Sequence, residues 1–189
     1  MSHEYRLRRH AMEDECRWQL AADALECHAG NGRVQRWPYA AMRELRLVYD
    51  PTRFNPDNHV CLLTLADGGR LRLPSTHYLG VGRFENRAEG YRTFIAALTA
   101  RVAAANPGCH FAAGATPARY WGGQLLQFVA LLLLAIVIGV TGMVPPLFLL
   151  MLAVIYLPLA WHHGRRNRPQ AFSPPHIPAA VLPPEPRHD

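Results

Sequence analysis

Hydrophobic residues follow two rhythms along the chain. Before residue 106 they fall in short runs separated by turn chemistry, and between residues 122 and 161 they are almost continuous. In the first region, Leu45, Leu47 and Tyr49 fall on one side of a strand, with Arg46 and Val48 on the other. Side chains on a strand alternate between faces, so this period of two predicts a half-buried strand. The run HVCLLTLA leads into Asp67-Gly68-Gly69, a tight turn. Arg70-Leu71-Arg72-Leu73 then alternates, leucines inward, until Pro74 ends it. Gly30-Asn31-Gly32 lies between expected strands at 25–29 and 33–37. Asn and Gly tolerate positive φ, so the triplet predicts a hairpin. A further short strand is expected before Trp18 or at residues 78–81.

After these strands the rhythm changes to three and four. Tyr91, Phe94, Ile95, Leu98 and Val102 make the apolar stripe of an amphipathic helix. Asn86 with Glu89 three residues on has the form of a capping box, and Asn106-Pro107-Gly108 ends the helix. Several antiparallel strands followed by one helix predict an α+β domain in which a small curled sheet buries one face under that helix.

The second region reads GGQLLQFVALLLLAIVIGVTG from residue 122, about 21 residues or roughly 31 Å as a helix. A second stretch, PPLFLLMLAVIYLPLAW, runs from residue 145 for about 17 residues, roughly 25 Å. Gly142 suits a helix end, Pro145 and Pro146 suit the first turn of the next helix, and Pro158 kinks it. The expectation is a transmembrane hairpin at 120–163, with helices at about 122–142 and 144–161. A re-entrant hairpin is the alternative, because the turn is uncharged and the second helix short. Arg101 and Arg119 precede the hairpin, and Arg165, Arg166 and Arg168 follow it. Positive residues stay cytoplasmic, which predicts a multi-pass protein of the cytoplasmic membrane with both termini inside. Arg119, Tyr120, Trp121, Trp161, Arg165, Arg166 and Arg168 are therefore the expected membrane-interface residues.

The segments RWQLAADALECHAGNGRVQRWPYAAMRELRLVY, HVCLLTLADGGRLRL and GYRTFIAALTARV resemble the bacterial pleckstrin-homology-like domains, over residues 10 to 105. The pattern W-x-Y-x-x-M-x-x-L, Trp37 to Leu45, carries most of the likeness. With the C-terminal hairpin, the chain also looks like a family of bacterial membrane proteins of uncharacterised role. The resemblance implies a small antiparallel barrel capped by its C-terminal helix. It divides the chain into an N-terminal arm (1–15), a barrel with capping helix (16–106), a linker (107–119), the hairpin and a Pro-rich tail (164–189). Phosphoinositide-binding members carry a basic pair in an early loop. The corresponding loop here, residues 30–33, offers only Arg33.

Composition changes the picture little. The 189 residues carry a net charge of +6 from 20 basic and 14 acidic residues, and every basic residue is Arg. Arginines and acids are interspersed in the N-terminal region, which argues for a solvated surface and against a nucleic-acid face. None of the four cysteines lies in a C-x-x-C pair or at zinc-ligand spacing. Residues 1–16 lack an apolar run, so no secretory signal peptide is expected, and the thiols are expected to be reduced.

The chemistry-bearing motifs are missing from the sequence. With serine only at positions 2, 75 and 173 there is no G-x-S-x-G, and there is no H-E-x-x-H or Walker loop. Gly80-Val81-Gly82 begins like a dinucleotide fingerprint, but Glu85 stands where the third Gly belongs. His162 and His163 are adjacent, and on a helix they would diverge by about 100°. No catalytic, cofactor or metal site is expected. The tail carries Phe172, Ile177, Val181 and Leu182, apolar anchors a solvated segment would not need. They are candidates for docking on the domain or on a partner. The functional expectation is a non-catalytic interaction module held at the cytoplasmic membrane face, with the lipid bilayer and a protein as partners. An accessory subunit or lipid-headgroup sensor is the alternative.

Overall fold

The computed structural model describes residues 4–8, 15–53, 55–80, 82–141, 151, 154 and 164–184. The chain forms two compact units: Met1–Gly114 with Gln170–Asp189, and Ala115–Pro169.

The first unit is mixed α+β. Strands β1 (Glu4–Leu7), β2 (Cys16–Leu20), β3 (Ala24–Ala29) and β4 (Val34–Pro38) form an antiparallel meander in sequence order. The turn into β4 has Gly32 at φ 80°, a conformation that favours glycine and explains the Gly30-Asn31-Gly32 signal. Strands β5 (Met42–Tyr49), β6 (His59–Leu65) and β7 (Arg70–Pro74) make a second antiparallel meander. A 3-10 turn at Tyr39–Ala41 joins the two. The W-x-Y-x-x-M-x-x-L pattern spans that crossing. Tyr39, Met42 and Leu45 are fully buried, and Trp37 stacks on Trp18 with centroids 5.5 Å apart. A two-stranded hairpin, β8 (Thr76–Gly80) and β9 (Arg83–Asn86), precedes helix α1 (Ala88–Ala105).

Helix α1 buries Tyr91, Phe94, Ile95, Leu98 and Val102, the stripe read from the sequence. Tyr5 of β1 meets it, 5.5 Å from Phe94 and 6.0 Å from Tyr91 between ring centroids. The capping box does not form. Asn86 is instead the last residue of β9, and Arg87 occupies the N-cap without a side-chain cap. Asn106 ends the helix and ties it to the 3-10 crossing, donating from Nδ2 to the carbonyls of Ala40 and Met42.

Three sequence expectations are corrected. The strands do not close into a barrel: among the described residues they form a four-stranded, a five-stranded and a two-stranded sheet. Pro38 and Pro74 end β4 and β7 with no amide to donate onward. The segment expected as an N-terminal arm contains β1, which pairs with β2, and Tyr5 and Leu7 are buried. The linker is not a linker either. Residues His110–Ala113 form β10, which pairs in parallel with β5 and antiparallel with β11 (Gln170–Ala171) from the tail. The five-stranded sheet runs β11-β10-β5-β6-β7.

The cysteines differ as well. Cys16 and Cys27 are disulfide-bonded across β2 and β3, with Cα atoms 5.8 Å apart, whereas Cys61 and Cys109 are buried free thiols.

The second unit is built on α2 (Pro117–Thr141), 25 residues long. Its start lies upstream of the expected one. Pro117 sits at the first helical position, where its missing amide costs nothing, and the Thr116 hydroxyl accepts from the Arg119 amide at 3.4 Å. Among the described residues α2 is the one helix long and apolar enough to cross a membrane. The stretch Pro117–Ile136 has a mean hydropathy of 1.3, and none of it is buried. The expected second helix at 144–161 lies outside the described residues, except for Met151 and Val154, which are helical and exposed.

Candidate functional site

Several of the expected interface residues lie at the start of α2 or close to it. Arg119 and Trp121 are exposed, and Trp121 meets Tyr120 edge to face at 5.3 Å. Gly164 is buried against the same turn. A Cβ at Gly164 would stand 3.0 Å from Gln124 Nε2 and 3.9 Å from the Tyr120 hydroxyl. The Ala115 amide donates to the Asn167 carbonyl at 3.0 Å. Chain that departs at Ala115 is thus back beside its starting point by Gly164. Arg165 and Arg168 are exposed there and Arg166 is half-buried. Trp161 and the His162–His163 pair lie outside the described residues. Arg101 does not belong with this group: its guanidinium donates to the carbonyls of Leu20 and Ala21, fastening α1 to the β2–β3 turn.

The tail closes the folded domain. Gly114, at φ 79°, donates its amide to Leu47 O and turns the chain out of the sheet just after β10. Across the β10–β11 ladder, Ala113 is the register partner of Gln170. The segment between them therefore leaves and re-enters the domain at neighbouring positions of one sheet. Beyond β11, Phe172 packs edge to face on Phe111 at 5.9 Å, and Val181 is fully buried. Ile177 and Leu182 pack against the same core. Arg92 of α1 donates to the Pro183 carbonyl at 2.6 Å.

Several polar side chains inside the domain bond to backbone and to each other. Ser75, His59 and Asp57 are neighbours, but not as a nucleophile and its base. Ser75 Oγ accepts from the His59 amide at 3.0 Å, and His59 Nδ1 lies 3.0 Å from the Asp57 backbone carbonyl. Asn55 Nδ2 donates to Thr76 Oγ1 at 2.6 Å, joining the 50–58 loop to β8. His77 Nδ1 accepts from the Arg8 amide at 3.1 Å, and burial, with Arg87 nearby, holds its pKa below the ordinary histidine value. Burial pushes the Cys61 and Cys109 thiols up, away from the thiolate that would make them nucleophiles. Tyr91 Oη and Trp18 Nε1 are buried without a hydrogen-bond partner among the described residues. No group of three or more His, Cys, Asp or Glu converges among the described residues.

A cleft of about 840 Å³ lies where β1 meets the start of α1, lined by Arg6, Arg87, Asn86, Glu4, Glu89 and Pro184, among others. Both of its arginines have acidic partners. Arg6 pairs with Glu4 at 2.9 Å and Arg87 with Glu85 at 2.8 Å. Arg33, the single base in the early loop, is exposed.

Comparisons with protein families, characterised proteins and solved structures find no match to this chain.

Sequence reasoning missed the sheet built from both flanks of α2, because neither β10 nor β11 is long enough to show a period. It took Gly80 and Gly82 as a loop signal; Gly80 ends β8, and Gly82, at φ 69°, precedes β9.

Proposed function

We propose that the protein is a membrane-anchored, non-catalytic interaction module, in which a pleckstrin-homology-like domain is presented at the cytoplasmic face by a transmembrane hairpin. One observation carries the reading: an exposed, apolar 25-residue helix is inserted into a domain whose sheet is completed from both sides of the insertion. A helix of that length rises about 37 Å, more than a hydrocarbon core of about 30 Å. In water its exposed side chains, Leu125, Leu126, Phe128 and Leu132 among them, would carry the full cost of apolar hydration.

A helix that crossed once and stopped would leave β11 on the far side from β10. The pairing of Ala113 with Gln170, and the packing of Gly164 near Tyr120, support a return crossing by the apolar stretch at 144–161. The arginines at 119, 165, 166 and 168 all fall at that shared end, which favours a cytoplasmic domain.

Alkaline extraction of membranes tests the anchor. The full chain is expected in the pellet, and Leu132→Arg with Leu133→Arg should shift it to the supernatant. An Arg near the helix centre costs about 2.5–3.5 kcal/mol on insertion, so two outweigh much of the apolar gain. A wild-type chain found in the supernatant would remove the anchor.

A further inference from the structure

We propose that β4 is a homodimer edge: two copies of this chain pair their β4 strands antiparallel about a two-fold axis at Gln35, joining two four-stranded sheets into one. β4 ends its sheet and pairs only with β3 among the described residues. The register fixes which backbone groups face outward. The Ala29 amide donates to Arg33 O and the Tyr39 amide to Asp23 O, so Arg33, Gln35 and Trp37 turn their backbone groups toward β3. Val34 and Arg36 each aim an amide and a carbonyl away from it. No described residue bonds these four groups. Elsewhere the chain closes its own edges. Arg6 O accepts from the Arg87 guanidinium and Arg8 O from the Tyr78 amide, and the free side of β5 carries β10. β4 is also where the cover of its sheet stops. β1, β2 and β3 each bury residues, β4 buries none, and the apolar Val34 is 55% exposed.

An open edge is a template for another strand, and the pattern on this one is its own complement. Centred on Gln35, a second copy sets Val34 opposite the partner's Arg36, so each outward amide meets an outward carbonyl. Centring on Arg36 would set arginine against arginine, and Val34 against the partner's Pro38, which has no amide to return. Centring on Val34 would set Arg36 against the partner's Gly32, whose amide already bonds Ala29 O. The favoured register also places exposed Arg33 beside the partner's half-buried Trp37, where a guanidinium covers an indole face. Val34 lies along the apolar stem of the partner's Arg36, whose charge stays with Asp23 and Glu26 of its own copy. β7, at one end of the five-stranded sheet, lacks this match. Its outward positions are Arg70 and Arg72, and the same pairing would set one arginine against the other.

The test uses the full chain in detergent, weighed by native mass spectrometry over a concentration series. Wild type is expected to shift from one chain mass to two as concentration rises. Val34→Pro removes an outward amide that β3 does not use, and an edge strand tolerates proline at such a position. The variant should keep its melting temperature and lose the dimer. A wild type that stays at one chain mass throughout would overturn the proposal. So would a dimer that survives Val34→Pro, which would place the contact elsewhere in the chain. A photoreactive benzoylphenylalanine in place of Val34 decides the matter if the proline variant fails to fold. In a mixture of isotope-labelled and unlabelled chain, it is expected to join one copy to the other beside Arg36. Absence of that crosslink, or capture of a different protein by the same probe in native membranes, would count against the dimer.

Discussion

Val181 shows how much one tail residue contributes. It is fully buried in the domain core although a Pro-rich stretch surrounds it, and burial of such a side chain is worth about 1.5–3 kcal/mol. Val181→Asp would bury an unpaired carboxylate and should release the tail. Limited proteolysis is expected to trim the variant after β11 faster than wild type, with a lower melting temperature. Equal trimming rates would show that the tail is not docked there. His77 sets a pH response. Its Nδ1 accepts from the Arg8 amide and must be unprotonated to do so. Arg87 and Arg8 oppose the charged form, Glu15 and Glu85 favour it, and burial outweighs them all. The folded pKa is depressed, so below the unfolded value of about 6.5 the unfolded chain binds more protons. Stability is therefore full above that pH and lost as pH falls through the folded value. Melting temperature should drop between neutral and mildly acidic pH, and His77→Asn, which keeps an acceptor, should flatten that slope.

Elements differ in how far the sequence announced them. Helix α1 and the pair β6–β7 were legible because each repeats its period several times: five stripe residues in α1, and Leu71 and Leu73 beside Asp67-Gly68-Gly69. Strands β1 and β10 were not, since four residues each give at most two inward positions, Tyr5 and Leu7 in one case. The capping box misled because Asn86 and Glu89 fit the pattern locally, while pairing of Thr76 with Asn86 in the β8–β9 ladder claimed the first of them. β10 nonetheless holds the domain together, with β5 on one side and β11 on the other. Ala112→Pro would remove an amide from a strand flanked on both sides and distort its neighbours. Denaturant unfolding should show a clearly lower midpoint. An unchanged midpoint would mean that residues 110–113 and 170–171 add nothing to the fold.

At the scale of the whole molecule, Arg119, Tyr120 and Trp121 lie in the first turns of α2, and Phe172, Ile177, Val181 and Leu182 pack on the domain core. What the sequence could not reveal is that both flanks of the apolar segment belong to one sheet, because pairing between residues 113 and 170 leaves no local trace. That pairing is central: the domain is assembled from chain on either side of α2, so a membrane crossed by α2 must be crossed again for both sides to share one face. The most direct measurement is labelling by a membrane-impermeant maleimide at two exposed positions, Arg70→Cys before the insertion and Ala180→Cys after it. Both cysteines are expected to be protected in intact cells and labelled once the membrane is permeabilised. Labelling of one in intact cells while the other stays protected would put the two halves of the sheet on opposite sides and contradict the account.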